Sequence, residues 1–171
     1  MRFGLALAVL VAAACLGCET SAPSVGLAPS LLPNLGLAAS LSTPVRAASA
    51  WELEARFTDQ FLDDKSFADN GFPEAGNWTQ LDLGLLRLAW QDGRAWSTRF
   101  GLLGFEARGD PNMVEEGGDY LGLYFGVGRF TLFGDGLAFG PELTLVAAHG
   151  PDPRVLIPQL TWGLRWMPGK R

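Results

Sequence analysis

The chain has 171 residues, is 48% hydrophobic and carries a formal net charge of -5, with an isoelectric point near 4.8 and a mean hydropathy of +0.15. The acidic balance excludes a nucleic-acid partner, which would want a basic face, and the length suits one domain with extra segments. Beyond the N-terminal leader no stretch reaches about 18 apolar residues, so no ordinary membrane-spanning helix is expected there.

The chain opens MRFGLALAVLVAAACLGCET, with Arg2 ahead of an apolar run over residues 3–16. That is the layout of an export signal. Leu16-Gly17-Cys18 resembles the lipobox of bacterial lipoproteins, which implies cleavage before Cys18 and lipid on its thiol. Cys15 stands where that family prefers an aliphatic residue. Ordinary cleavage, with Cys18 inside the leader, is the competing reading. Ala48-Ser49-Ala50 also fits a cleavage pattern, but it would make a very long leader. Both cysteines of the chain lie before residue 19, so no disulfide is expected in the mature part.

Residues 19–50 are rich in Ala, Ser, Pro and Leu, and only Glu19 and Arg46 are charged. Pro23, Pro29, Pro33 and Pro44 interrupt any long helix. The segment reads as a tether, and the change of composition at Trp51 marks the expected domain boundary.

From Trp51 the apolar residues alternate with period two, as strands do. Six strands are expected, over 51–58, 78–90, 95–107, 119–133, 137–148 and 155–166. Asp92-Gly93 is a strong hairpin signal, and Gly134-Asp135-Gly136 serves a second tight turn. A two-residue loop at Asp92-Gly93 places Gln91 opposite Arg94. One face of that hairpin then carries Leu81, Leu83, Leu85, Phe100 and Leu102. The other, mixed, carries Gln80, Asp82, Gly84 and Leu86 beside Arg99, Gly101, Leu103 and Phe105. Pairing Phe133 with Leu137 likewise sets Leu121, Leu123, Phe125 and Val127 against Gly122, Tyr124, Gly126 and Gly128 on the opposite face. A glycine bulge would shift this second register by one. The last strand repeats the pattern, with Leu160, Trp162, Leu164 and Trp166 on one side and Gln159, Thr161, Gly163 and Arg165 on the other.

A soluble sandwich or barrel would turn the leucine faces inward and cover the other faces with Lys, Glu and Asp. The second faces here are dominated by glycine and small residues instead. A membrane barrel inverts the arrangement, with the apolar face toward lipid and the bare face inside. Trp78, Trp90, Trp96, Tyr120, Phe133 and Trp166, near strand ends, then suit the interfacial aromatic girdles. Asp82, Arg99, Glu142 and Arg165 become interior. Buried charges need partners, so an internal salt-bridge network among these four is expected. The fold expected over 51–171 is all-β: an antiparallel up-and-down meander closing or partly closing into a small barrel, preceded by a leader (1–18) and the Pro/Ala/Ser-rich segment (19–50).

The meander, the tight turns and the stretches FTLFGDGLAFGPELTL and QLTWGLRW resemble small outer-membrane β-barrel proteins of Gram-negative bacteria, and faintly the lipid A deacylase-type barrels. Three departures stand against this. Such barrels usually need at least eight strands, so a missing pair would come from 59–77, from 22–45 or from a second subunit. The chain runs on through Met167–Arg171 beyond its last aromatic residue. Pro141 and Pro158 lack ladder donors, which points to an edge, a bulge or a strand start.

Little chemistry is visible. The deacylases that the chain faintly resembles use a His and a Ser two residues apart, and the residue two after His149 is Pro151. Ser66 and Ser97 are the only serines after residue 50 and lie far from His149 in sequence. One histidine and no cysteine in the mature part rule out the usual zinc sets. The acidic clusters Asp59/Asp63/Asp64/Asp69 and Asp110/Glu115/Glu116/Asp119 lack calcium-loop spacing. No metal and no cofactor is expected.

Three functions compete at this point. The first is a small outer-membrane β-barrel of the cell envelope with a structural, adhesive or binding role and no catalysis, meeting outer-membrane lipid, with a homo-oligomer if the barrel needs more strands. The second is a periplasmic or lipid-anchored soluble β-protein holding an apolar ligand. The third is a divergent lipid A acyl hydrolase.

Overall fold

Residues 23–32, 35–45, 49–62, 76–109, 118–150 and 155–167 are described in a computed structural model. The export signal, Cys18, Ser66 and most of both acidic clusters lie outside them. Asp92 and Gly93 take φ of 51° and 72°, the left-handed pair of a two-residue hairpin turn, which only Gly and Asn/Asp-type residues adopt readily. Gln91 therefore faces Arg94, and the pairing runs unbroken to Gly76 opposite Gly109. At the second turn Phe133 faces Leu137, and the same register extends to Leu121 opposite His149, with no shift.

Eight strands follow in chain order: β1 (Ser24–Leu32), β2 (Gly36–Pro44), β3 (Trp51–Leu62), β4 (Gly76–Gln91), β5 (Arg94–Gly109), β6 (Gly118–Phe133), β7 (Leu137–His149) and β8 (Val155–Trp166). Each pairs antiparallel with its neighbour. β8 pairs back onto β1, with Val25 opposite Trp166, which closes the barrel. The all-β meander expected from the sequence is present.

The tether is a correction. Within residues 19–50, 24–44 form β1 and β2, so the barrel begins well before Trp51. The missing pair of strands comes from this segment and closes the barrel within one chain. Its period-two pattern is real but muted. Ser24, Gly26, Ala28 and Ser30 face inward between Val25, Leu27, Pro29 and Leu31. Prolines that would break a helix are tolerated where the ladder is interrupted. Ala28 and Pro29 have no partner in the β1–β8 ladder, which resumes at Ser30 opposite Thr161 and shifts register before Leu32. Pro141 marks a similar gap. The β6–β7 ladder skips from Gly128/Glu142 to Thr131/Phe139 without changing register. Pro158 lies beyond the last β1 pairing, Leu32 opposite Leu160.

The leucine faces point outward. Leu121 is 75% exposed and Leu102 66%, and Leu83, Phe100, Leu123, Phe125, Leu143, Leu145 and Leu164 are exposed with them. This reverses the arrangement a soluble barrel would need. Among the six aromatic residues expected at the girdles, Trp96, Phe133 and Trp166 are exposed on the outer wall. Trp78 and Tyr120 are buried inside, and Trp90 packs against an interior cluster. Their parity explains it: Trp78 and Trp90 share the face of Asp82, and Tyr120 that of Gly122.

The two ends differ. The chain connects at one end through 45–50, Asp92-Gly93 and Gly134–Gly136, where β1 also starts and β8 ends. At the other end it connects through 33–35, 63–75, 110–117 and 150–154.

Candidate functional site

The interior is the place where this sequence spends its chemistry. An eight-stranded barrel is just wide enough for side chains to fill, and here they fill it in three layers. Toward the longer connections, Trp78, Phe105 and Tyr120 stack at 4.2 and 4.5 Å between ring centroids. Leu103, Ala107, Tyr124, Val146, Ala148 and Ile157 complete that apolar layer. Toward the short turns, Leu86, Leu88, Ala95, Phe130, Ala138 and Met167 form a second one. Met167, beyond the last strand, is buried and donates its N–H to the Gly136 carbonyl at 2.6 Å.

Between them lies a charged layer centred on Arg99, which is fully buried. Its Nε sits 3.1 Å from Glu54 Oε2, its Nη2 3.1 Å from Asp82 Oδ2, and its Nη1 3.0 Å from Glu142 Oε1. Arg56 also pairs with Glu142 and donates to Thr161 Oγ1 at 3.0 Å. Arg165 pairs with Glu54 at 2.6 Å and donates to Ser42 at 3.2 Å. A planar guanidinium offers five donors in a fixed fork, which suits three carboxylates arriving from three strands. Isolated burial of any one of these charges would be costly, and mutual pairing offsets it.

The glycines of the bare faces make room for this layer. A Cβ on Gly126 would meet Arg99 Cγ and Thr144 Oγ1 at 2.8 Å. Arg99 also lies 4.7 Å over the ring of Tyr124. A polar chain extends from the charged layer: Gln80 donates to Asp82 at 2.5 Å, while Trp78 and Gln159 donate to Gln80 at 3.1 and 2.8 Å.

Of the four interior candidates, Asp82, Arg99 and Glu142 meet directly, and Arg165 joins them through Glu54. Glu54 and Arg56 were missed, although their alternation with Leu53 and Ala55 in WELEARF carries the signal. Glu52, bonded to Ser42 at 2.6 Å, was missed likewise. His149 is exposed on the outer wall beside the longer connections, whereas Ser97 is buried inside near the short turns. Among the described residues these two lie at opposite ends and on opposite sides of the wall, so they form no catalytic pair. A cavity of about 20 Å³ touches Arg56, Glu142 and Arg165, room for one water.

The barrel is similar to solved outer-membrane proteins. The N-terminal β-barrel domain of Pseudomonas aeruginosa OprF aligns at a TM-score of 0.56 and 13% identity, covering 84% of this chain and 96% of that one. A major outer membrane protein from Thermus thermophilus aligns at 0.52 and 12%, covering 85% and 99%. No protein-family model and no curated protein matches the sequence. At these identities the likeness establishes the fold alone: a small closed antiparallel β-barrel.

Proposed function

We propose that this chain is a bacterial outer-membrane β-barrel with a structural or binding role and no catalysis of its own. The observation that carries the reading is the inversion of the strands, with leucines outside and a paired charge layer inside. Hydrocarbon is the solvent that suits such a wall, because a closed barrel has no open edge and pairs its strands' backbone groups with their neighbours. The dimensions agree. Asp119 and Arg129 bracket the outward apolar residues Leu121, Leu123, Phe125 and Val127 of β6. About ten residues at roughly 3.3 Å each, tilted by about 40°, give an apolar band of about 25 Å.

The layered interior argues for an anchor rather than a channel. The polar side chains that run along the lumen, from Ser42 and Glu52 through Arg165, Glu54, Arg99 and Asp82 to Gln80, are buried and bonded to one another, so they fill the lumen rather than line an open path. The short turns belong on the periplasmic side and the longer connections outside, where a partner would be met. If Cys18 is acylated, it adds an anchor the barrel does not need.

The test is fractionation of cells expressing the full chain, with carbonate and urea washes of the membranes and a parallel Cys18→Ala variant. Both forms are expected to resist the washes and to migrate faster on unheated gels. Release of Cys18→Ala alone into the soluble fraction would sink the reading. In planar bilayers the purified barrel is expected to show no steady conductance.

A further inference from the structure

Among the described side chains, the ionisable residues of the outer wall are sorted by rim. Toward the longer connections, Asp59, Thr79, Glu106 and Asp119 stand opposite one another across β3 to β6 in a single row, with His149 at the same rim. Toward the short turns the outward charges of the strands are Arg87, Arg94 and Arg129, all exposed. Two of these are held against aromatic rings. The Arg87 guanidinium lies 5.8 Å from the centre of the Trp51 ring, and that of Arg129 lies 5.6 Å from the centre of Trp96.

We propose that Arg87 and Arg129, each seated on a tryptophan, bind the phosphate of an anionic glycerophospholipid in the leaflet on the short-turn side. The proposal rests on the membrane reading above. Each arginine lies four residues from the turn-side end of its strand, inside the wall rather than in the turn. They flank β5, where Thr98 pairs with Arg87 and Trp96 with Arg129. Two strand spacings separate them, on the order of 10 Å, within reach of two long side chains converging on one headgroup.

Three physical points favour a lipid phosphate. A ring covers one face of each guanidinium and leaves its N–H edges free to donate, the geometry that a phosphate accepts bidentately. Among the described residues, neither arginine has a carboxylate partner that would occupy those edges. Of the acidic residues nearest in sequence, Asp92 and Asp135 sit in the turns, beyond the strand ends, and Asp82 is buried inside the barrel. The tryptophan rings, at the border of the apolar band, suit the glycerol region of a lipid, and the Thr98 hydroxyl adds a donor between the two arginines. Among the described side chains, the outward charged residues of the other rim are acidic, so the preference is for one leaflet.

The full chain in nanodiscs of equal phosphatidylglycerol and phosphatidylcholine provides the test, with native mass spectrometry reading which lipids stay bound on release. Wild type is expected to retain phosphatidylglycerol preferentially. Arg87→Gln with Arg129→Gln should lose that preference, on the order of fivefold for each arginine removed. Unheated gel migration checks that the variant is folded. Should it fail to fold, wild type alone decides, because an arginine–phosphate preference must fall as salt rises. Equal retention of both lipids by wild type, or an unchanged preference in the folded variant, overturns the proposal. In a second set of nanodiscs that also carries lipid A, preferential retention of lipid A over phosphatidylglycerol overturns it too. Failure to enter nanodiscs at all would instead overturn the membrane reading.

Discussion

The hairpin β1–β2 and the hairpin β4–β5 line the same barrel with opposite means. The first has nine-residue strands with Ser, Gly and Ala inside. The second has sixteen-residue strands that send Gln80, Asp82, Arg99, Leu103 and Phe105 into the lumen. Large side chains on one side require small ones on the other, because a lumen this narrow holds one layer of side chains at interior density. Arg165, from β8, reaches across the thin side to Ser42. Outside, the two hairpins are alike: Leu27 and Leu102 are both exposed. What distinguishes the regions is the filling, not the wall.

The sharpest way to break this contrast is to remove the centre of the filling. Arg99→Leu leaves Glu54, Asp82 and Glu142 with one fewer cation each and should cost about 3–5 kcal/mol. Urea titration of the barrel in vesicles, followed by tryptophan fluorescence, reads this directly. A loss below about 1 kcal/mol would mean that the ion pairs contribute little.

The next effect should be blind to the difference between the regions. Leu123→Arg on β6 and Leu27→Arg on β1 both put a charge on the lipid-facing wall. Each should cost about 2–4 kcal/mol if near the bilayer midplane. Opposite outcomes for the two would mean that β1 faces something other than lipid.

Alanine at interior glycines should separate the regions again. At Gly126 the new Cβ meets Arg99 Cγ, held by three ion pairs, and Thr144 Oγ1 at 2.8 Å. The expected cost is about 1–3 kcal/mol. At Gly26 the nearest obstacle is the Ser40 hydroxyl at 2.5 Å, with the next at 3.7 Å, and the expected cost is at most about 1 kcal/mol. Equal costs would argue that both sides are packed alike.

The smallest effect belongs to Pro29→Ala. It supplies a backbone donor at the gap in the β1–β8 ladder, and a bond made there is worth about 1 kcal/mol at most. Amide exchange at position 29 is the better readout. A slowly exchanging amide is expected, and a fast one would show that the gap has a cause other than the missing donor.

The same contrast explains what could be read from the sequence. β4 to β8 announce themselves because outward leucines alternate with glycines and isolated charges around Asp-Gly and Gly-Asp-Gly turns. The register of both hairpins follows from those turns alone. β1 and β2 hide because Ser, Gly and Ala inside, beside Pro29 and Pro44, give a weak period against an apolar outside. Of the interior charges, Asp82, Arg99, Glu142 and Arg165 stand alone on bare faces and are easily seen. Glu52, Glu54 and Arg56 occur together in a short run that reads equally as a solvated face. The inward turn of Trp78 and Tyr120 was legible from parity, but aromatic residues near strand ends suggest a girdle first.

The seam between β1 and β8 has a kinetic consequence. Seven of the eight strand pairings join neighbours in sequence, so each forms with a short loop to close. The pairing of Val25 with Trp166 spans nearly the whole chain and bears the largest closure entropy. It should therefore form last, across the ladder that Pro29 interrupts and a bulge shifts. Until β8 arrives, the sheet has two open edges, each a template for pairing with another chain. The order of folding thus puts the greatest risk of misassembly at the final step, and the last strand ends that exposure.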